Sequence, residues 1–210
     1  MENKLKIVFA GSPKSSSTIL QSLIDNSDVE VPYVISQEPK RAKRGNKLLP
    51  TEVAIKATEN DIDLLEPKSL DEIKESITGF DFDFLLVAAY GKILPDWMLS
   101  APAYEPINVH YSILPKHRGA SPIQSTILAG DSEAGISIMK MTKGLDEGPI
   151  YKKFKIDIKE SDKEELEDKL SVIAAKNITS VLSEIKNKNI KPIDQNEDDA
   201  SYCKKIKKES

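Results

Sequence analysis

Short apolar runs alternate with amphipathic stretches along most of the chain, and this pattern predicts a sheet covered by helices. Residues 84–90 are continuously apolar, which is typical of a central parallel strand with both faces covered. Further strands are predicted at residues 5–10, 29–35, 62–65, 107–110, 136–141 and 150–158. Helices are predicted at residues 51–59, 71–77 and 122–129, with a long one behind a capping box at residues 161–164. The alternation favours an α/β fold with an open, mostly parallel, Rossmann-like sheet and helices on both faces.

The carboxyl ends of the predicted strands are where a ligand site is expected, because open α/β sheets bind ligands there. This rule points to Gly11, residues 90–91, residues 108–110 and the glycine-flanked loop at residues 144–148. The first turn has no GxGxxG motif, which argues against a dinucleotide cofactor. The GxxxxGK[ST] motif of ATPases does not occur in the sequence either.

Candidate chemistry centres on one of the two histidines in the chain. His110 follows Asn108 by two positions, so their side chains share a face of the predicted strand. An amide donor, an imidazole and an orienting carboxylate such as Asp146 suit acyl transfer without a protein nucleophile. Ser112 lacks the GxSxG elbow of covalent hydrolases. A hydrogen-bonded strand end without catalytic function remains the alternative interpretation.

Composition excludes several other classes of protein. The 210 residues carry a formal net charge of −4, and 39% of them are hydrophobic. This is too apolar for a disordered chain, and no apolar run approaches the roughly 20 residues of a membrane span. The single cysteine, Cys203, excludes an internal disulfide and argues against structural zinc. Because the first residues lead directly into a predicted strand, we expect no secretory leader and a cytoplasmic protein.

Positive charge is concentrated in one predicted loop and at the C-terminus. Residues 40–47 contain five cations and no acid, and residues 204–208 contain four lysines. Such clusters can contact phosphates, and a solvated surface is the alternative for both. Because the sequence turns polar from Lys186 onward, we expect one domain over residues 1–190 and a polar, lysine-rich tail over residues 191–210.

Two segments around the candidate residues resemble the signatures of a known family. The sequence NVHYSILPKHRGA at residues 108–120 is similar to a signature of formyltransferases that use 10-formyltetrahydrofolate, and GLDEGP at residues 144–149 resembles their second signature. The resemblance runs from about residue 6 to residue 205. It is strongest to the branch that formylates initiator methionyl-tRNA, at FAGSP (9–13), RGNK (44–47), VAAYGKILP (87–95), RGASPIQ (118–124) and GISIM (135–139).

The resemblance implies the formyltransferase fold and a role for each matching residue. Asn108 and His110 would stabilise the oxyanion formed when an amine attacks the formyl carbon, His110 would assist proton transfer, and Asp146 would fix the imidazole of His110. The folate co-substrate would contact Tyr90, Gly91, Lys92, Ile93, Leu94, Ser112, Ile113, Leu114, Pro115, Gly144 and Leu145. The tRNA would contact Arg41, Lys43, Arg44 and Lys47. The family chemistry requires no metal, and we expect a monomer that does not bind membranes.

The sequence departs from the family pattern at three places. Pro13-Lys14-Ser15-Ser16 replaces the usual Pro-Asp-Phe-Ala, and Tyr111 and His117 replace what are commonly glycine or alanine and an aromatic residue. The given sequence also ends at Ser210, before the small C-terminal β-barrel that binds tRNA in this family, so we expect either a natural minimal enzyme or part of a longer protein. This last departure keeps open an acceptor such as an amino-sugar nucleotide, glycinamide ribonucleotide or another small amine. An inactive folate- or RNA-binding module is an alternative of another class, and the intact Asn108, His110 and Asp146 argue against it.

Overall fold

Parallel strands form the first of two units into which the chain divides between Pro106 and Ile107. The computed structural model describes residues 4–41, 48–159 and 161–206. The elements of the first unit are β1 (Leu5–Gly11), α1 (Lys14–Ile24), β2 (Val29–Glu30), β3 (Tyr33–Ile35), β4 (Lys40–Arg41), β5 (Leu48–Leu49), α2 (Glu52–Glu59), β6 (Asp63–Leu65), α3 (Lys74–Thr78), β7 (Phe84–Ala88) and α4 (Asp96–Leu99). A 3₁₀ turn at Leu70–Ile73 precedes α3.

The order of strands in this unit is β7, β1, β3 and β6, and every one of these pairs is parallel. Strand β2 also pairs in parallel with β1, while β4 and β5 form a separate antiparallel pair. All five residues of β7 are buried, as their continuous apolar run predicts. The prediction of parallel strands in the first half of the chain is therefore confirmed.

The second unit is built around antiparallel strands. Its elements are β8 (Glu105–His110, which starts at the last two residues of the first unit), β9 (Arg118–Gly119), α5 (Pro122–Leu128), β10 (Glu133–Lys140), β11 (Ile150–Asp157), α6 (Lys163–Lys186) and β12 (Tyr202–Cys203). Strands β11, β10 and β8 lie side by side in that order, and β9 pairs in parallel with β12. Helix α6 contacts β10, β11 and α5 through a buried apolar face.

Three predicted elements differ from those observed, each for a local reason. The predicted strand at residues 29–35 is two strands, because Pro32 between them has no N–H group for the ladder. The predicted helix at residues 71–77 begins as a 3₁₀ turn and becomes α-helical only at Lys74. Helix α6 is capped by Asp162, whose carboxylate accepts a hydrogen bond from the Glu165 amide at 2.9 Å, and not by Ser161.

The segment predicted as a polar tail belongs to the second unit, and its described residues, 191–206, pack against other residues of that unit. Ile193 forms an antiparallel bridge with Ile150, a 3₁₀ turn occupies Glu197–Asp199, and β12 follows. The domain boundary at residue 190 stays a prediction. None of the helices within the described ranges combines the length and the apolar character needed to cross a membrane.

Candidate active site

His110 and Asn108 project from one face at the end of β8. The antiparallel ladder places His110 opposite Ser137 and Asn108 opposite Met139 on β10. His110 is only 6% exposed, whereas Asn108 is half-buried. The two-residue spacing that predicted a shared face therefore matches the observed strand register.

Asp146 lies in the loop between β10 and β11, and its carboxylate is the meeting point of three groups. Its Oδ2 atom lies 3.5 Å from Nδ1 of His110 and accepts a hydrogen bond from the Gly119 amide at 2.8 Å. Its Oδ1 atom lies 3.4 Å from Nδ2 of Asn108. The side chain of Asp146 is 15% exposed. The structure thus brings together the three residues that the sequence predicts as a catalytic group.

The second ring nitrogen of His110 is anchored to the backbone. Nε2 lies 3.0 Å from the carbonyl oxygen of His117, which can only accept a hydrogen bond, so Nε2 carries a proton in this pairing. His117 itself has a φ of 60°, in the left-handed region that non-glycine residues rarely adopt. The carbonyl therefore fixes the ring through Nε2 and leaves Nδ1 as the nitrogen that faces Asp146.

Gly119 meets a backbone requirement next to this carboxylate. Its φ is 115°, and a Cβ atom there would collide with the carbonyl oxygen of Cys203 on β12. A side chain at this position would push β9 away from β12 and move the amide that holds Asp146. The glycine of the RGA sequence is thus explained by close backbone approach.

A second histidine–aspartate pair lies in the same unit. Nε2 of His117 lies 2.8 Å from Oδ2 of Asp131, and Nζ of Lys116 lies 3.6 Å from Oδ1. The hydrogen bond from His117 and the charge of Lys116 hold the pKa of Asp131 below its ordinary value, against the opposing effect of burial. A cavity of about 180 Å³ beside the pair is lined in part by Ile113, Thr126 and Lys155.

Four residues to which the sequence assigned no role surround the Asp146 loop: Arg118, Gln195, Glu197 and Tyr202. Arg118 is fully buried, and its guanidinium donates two hydrogen bonds to the Glu197 carboxylate, at 2.7 and 2.9 Å. The side-chain hydrogen bond to Glu197 is the main reason that the pKa of Arg118 lies above its ordinary value, although burial opposes it. A lone arginine inside a signature and a polar C-terminal segment gave no periodic signal from which this cluster could be predicted.

The other predicted folate contacts in the second unit have mixed exposure. Ser112 is buried and its hydroxyl donates to the Lys116 carbonyl at 2.6 Å, so the hydroxyl is committed to the loop backbone. Leu114 is fully buried beside Met139 and Ile150. The remaining positions lie nearer the surface: Ile113, Pro115 and Gly144 are half-buried and Leu145 is exposed.

In the first unit, residues 90–94 follow the carboxyl end of β7. Tyr90 is 1% exposed, and its carbonyl accepts a hydrogen bond from the Gln37 side chain at 2.6 Å. Burial raises the pKa of the Tyr90 phenol to about 12, and this hydroxyl has no hydrogen-bond partner among the described residues. Lys92 donates to the carbonyls of Pro67 and Lys68, at 2.7 and 3.1 Å. Leu94 is buried, whereas Ile93 is 93% exposed.

Only part of the predicted tRNA loop can be placed. Arg41 lies on β4 and is exposed, with its backbone paired to Leu48 on β5. Lys43, Arg44 and Lys47 lie outside the described residues. Within the described ranges, no group of three or more histidine, cysteine, aspartate or glutamate side chains could hold a metal ion.

Comparison with known protein families matches residues 5–182 to the formyl transferase family. A curated methionyl-tRNA formyltransferase of Mesoplasma florum is 40% identical over 207 residues, which make up 98% of this chain and 66% of that protein. The chain therefore spans just under two thirds of the length of the curated relatives it first matches.

Solved structures share the fold. Glycinamide ribonucleotide transformylase 1 from Symbiobacterium toebii superposes with a TM-score of 0.75 and 20% identity, covering 92% of this chain and 96% of that one. An N-formyltransferase from Helicobacter canadensis, solved in complex with folinic acid and dTDP-3-aminofucose, gives a TM-score of 0.71 at 20% identity, covering 95% of this chain and 70% of that one. These similarities confirm the predicted fold class.

Proposed function

The chain belongs to the formyl transferase family, and on this premise we propose that it transfers the formyl group of 10-formyltetrahydrofolate to the free amine of initiator methionyl-tRNA. The observation that carries the proposal is the convergence of Asn108, His110 and the Gly119 amide on the carboxylate of Asp146. The 40% identity with a curated methionyl-tRNA formyltransferase favours this acceptor over smaller amines.

The distances within the site distinguish anchoring contacts from reactive ones. The contacts of Gly119 N with Asp146 and of His110 Nε2 with His117 O are 2.8 and 3.0 Å, which are ordinary hydrogen-bond lengths. The contacts of Asp146 with His110 Nδ1 and with Asn108 Nδ2 are 3.5 and 3.4 Å. These two long contacts leave donor capacity for a substrate atom, and catalytic contacts commonly tighten only in the substrate complex.

Each polar group then has a role in the transfer. When bound, 10-formyltetrahydrofolate supplies an electrophilic formyl group whose oxygen gains negative charge as an amine adds to its carbon. Nδ2 of Asn108 and a protonated Nδ1 of His110 donate to that oxygen, and such preorganised donors are a major source of catalysis. As the bond between the formyl carbon and the folate nitrogen breaks, His110 passes to that nitrogen the proton that the amine loses, and tetrahydrofolate leaves. Asp146, held by the Gly119 amide, keeps the His110 ring oriented through Nδ1.

The residues after β7 fit one part of the folate. Gly91 has a φ of 78°, and a Cβ atom there would lie 2.8 Å from Nε2 of Gln37. This leaves an exposed glycine backbone close in sequence to the exposed apolar side chain of Ile93. A flat heteroaromatic ring with polar edges can stack on the apolar side chain and bond to such a backbone. We assign residues 90–94 to this contact, with Lys92 shaping the loop through its bonds to Pro67 and Lys68.

The cationic segment at residues 40–47 is assigned to the tRNA. Arg41 is exposed at the described edge of this segment. Lysine and arginine side chains bind phosphates without reading the sequence of the nucleic acid, and each contact adds to the salt dependence of binding. A small amine acceptor presents few phosphates and gains little from five cations.

The test is a transfer assay in which the purified chain meets labelled 10-formyltetrahydrofolate and one acceptor at a time. The acceptors are methionyl-tRNA, glycinamide ribonucleotide and an amino-sugar nucleotide, with N-acetylmethionyl-tRNA as the control in which the amine is blocked. We expect label on methionyl-tRNA alone. Label on a small amine but not on methionyl-tRNA would assign the chain to that acceptor. Folate binding without transfer to any acceptor would make it a binding module.

A further inference from the structure

Every polar atom of the Gln195 side chain is engaged with residues of the site. Its Nε2 donates to the carbonyl oxygens of Asp146 and Gly148, at 2.8 and 2.7 Å. Its Oε1 accepts from Nε and from one terminal nitrogen of Arg118, at 3.1 and 2.9 Å. We propose that Gln195 is a positioning residue that holds the Asp146 carboxylate in its reactive orientation. The proposal rests on the proposed function, since it assumes that Asp146 takes part in the transfer.

The backbone at Asp146 needs such a support. Its φ is 54°, in the left-handed region, where a residue with a Cβ atom persists only when its surroundings fix it. The Gln195 amide donates to the carbonyls of both Asp146 and Gly148, so one side chain links two positions of the loop. Without that donor the two carbonyls lose their partner, and the Asp146 side chain can rotate away from His110.

Arg118 in turn fixes Gln195. The arginine is fully buried, and its terminal nitrogens also bind the Glu197 carboxylate in a two-point contact. The ring of Tyr202 lies 5.5 Å from its guanidinium carbon, and the Tyr202 hydroxyl accepts from Arg118 and donates to Glu147. The C-terminal segment that carries Gln195 therefore makes a second contact with the Asp146 loop, between Tyr202 and Glu147.

Both contacts that fix Asp146 depend on residues of β9. Gly119 on β9 donates its amide to the carboxylate, and its neighbour Arg118 holds the glutamine that fixes the backbone of Asp146. Strand β12, which carries Tyr202, pairs with β9. The C-terminal segment thus acts as a brace for the candidate catalytic carboxylate, although Gln195 is 49 positions away from Asp146 in sequence.

The proposal is tested with Gln195→Glu and Gln195→Met, two side chains of similar length that lack the amide donor. The first puts an anion against two carbonyls, and the second is neutral, so a shared effect reports the missing donor and not the new charge. Asn196→Ala is the matched control. Asn196 lies next in the chain, and its side chain bonds to Asp198 and Asp199 within the 3₁₀ turn.

Two readouts separate positioning from stability. The first is formyl transfer: we expect both Gln195 variants to lower kcat about 10- to 100-fold, as misplacement of a catalytic group does. The KM for the formyl donor should stay within about twofold, because the variants weaken stabilisation of the transition state and not ground-state binding.

The second readout is the ¹⁵N spectrum of the two histidine rings at one fixed pH. We expect the His110 signals to move in both Gln195 variants and in Asp146→Asn, and the His117 signals to stay in place.

The ¹⁵N spectrum tests the positioning role even if the parent chain transfers no formyl group. Failure of the proposed function can therefore be distinguished from failure of the positioning proposal. Asn196→Ala should match the parent in both readouts. Parent-like kcat and parent-like His110 signals in folded Gln195 variants would overturn the proposal. Loss of the folded state in both variants would make Gln195 a residue of general stability and would overturn it as well.

Discussion

The second unit contains two histidine–aspartate pairs that differ in what surrounds them. His117 and Asp131 lie 2.8 Å apart, and Lys116 adds a second cation to the same carboxylate. His110 and Asp146 lie 3.5 Å apart, with Asn108 Nδ2 at 3.4 Å and a backbone amide at 2.8 Å. In the shorter pair, which we call the closed pair, side chains already engage both carboxylate oxygens of Asp131. In the longer pair, which we call the open pair, backbone groups anchor both residues, and the two long contacts leave donors that can bind a substrate atom, as catalysis requires.

The largest difference in formyl transfer should appear when each histidine is replaced, in a separate variant, by asparagine. His110→Asn should lower kcat/KM for formyl transfer by about 10²- to 10⁴-fold, the range over which acid–base groups contribute. His117→Asn keeps the backbone carbonyl that holds His110, and asparagine tolerates a positive φ, so its rate should fall by less than about tenfold. Steady-state kinetics on both variants measures the contrast. Equal losses would remove the distinction between the pairs.

A variant of Asn108 tests whether this side chain is a second hydrogen-bond donor to the oxyanion, beside His110 of the open pair. Asn108→Ala should lower kcat by about 10²- to 10³-fold, as loss of one donor to a developing oxyanion does. The matched control is Asn177→Ala, because the Asn177 side chain binds only the Ile173 carbonyl in the described part of α6. A rate for Asn108→Ala close to that of this control would exclude Asn108 from the chemistry.

The cationic segment at residues 40–47 should affect the binding of methionyl-tRNA and leave the chemistry of the open pair unchanged. Replacing Arg41, Lys43, Arg44 and Lys47 by alanine should weaken use of methionyl-tRNA and lower its salt dependence by about 0.9 in log–log slope for each phosphate that is no longer bound. Transfer at saturating methionyl-tRNA should change little. The control replaces four exposed lysines on α3 and α6: Lys74, Lys163, Lys169 and Lys176. Parent-like salt dependence in the variant of the cationic segment would remove the tRNA assignment.

The smallest effect concerns stability and belongs to the closed pair. Since the pKa of Asp131 is lowered in the folded state, its ionised form stabilises the fold above the ordinary value of 3.8, and this stabilisation disappears as the pH falls through the lowered pKa. Asp131→Asn should therefore be less stable than the parent at pH 6, by less than about 1 kcal/mol. The difference should shrink at pH 3. Urea unfolding at the two pH values measures it, and a difference that grows at pH 3 would contradict the sign.

The sequence was informative wherever local spacing determined the structure. Two-residue spacing put Asn108 and His110 on one strand face, and the glycine-flanked loop located Asp146. Continuous apolar character predicted β7, whereas Pro32 divided a predicted strand because a missing N–H outweighs apolar pattern.

The brace around Asp146 could not be predicted in the same way. Gln195 and Glu197 lie 77 and 79 positions from Arg118, in a polar segment without periodicity. Their partners are chosen by tertiary packing of a buried guanidinium, which no local pattern encodes. The exposure of Ile93 and the burial of Leu114 likewise depend on how the loops pack and not on side-chain type.

The central claim is that the open pair is the reactive one. It is tested most directly by replacing the carboxylate of each pair in turn. Asp146→Asn and Asp131→Asn make the same change, and a single-turnover measurement with 10-formyltetrahydrofolate and methionyl-tRNA isolates the transfer step from product release. We expect Asp146→Asn to slow that step by at least about 100-fold and Asp131→Asn by less than about threefold. Equal rates for the two folded variants, or a slower step in Asp131→Asn, would contradict the assignment of the reaction to Asn108, His110 and Asp146.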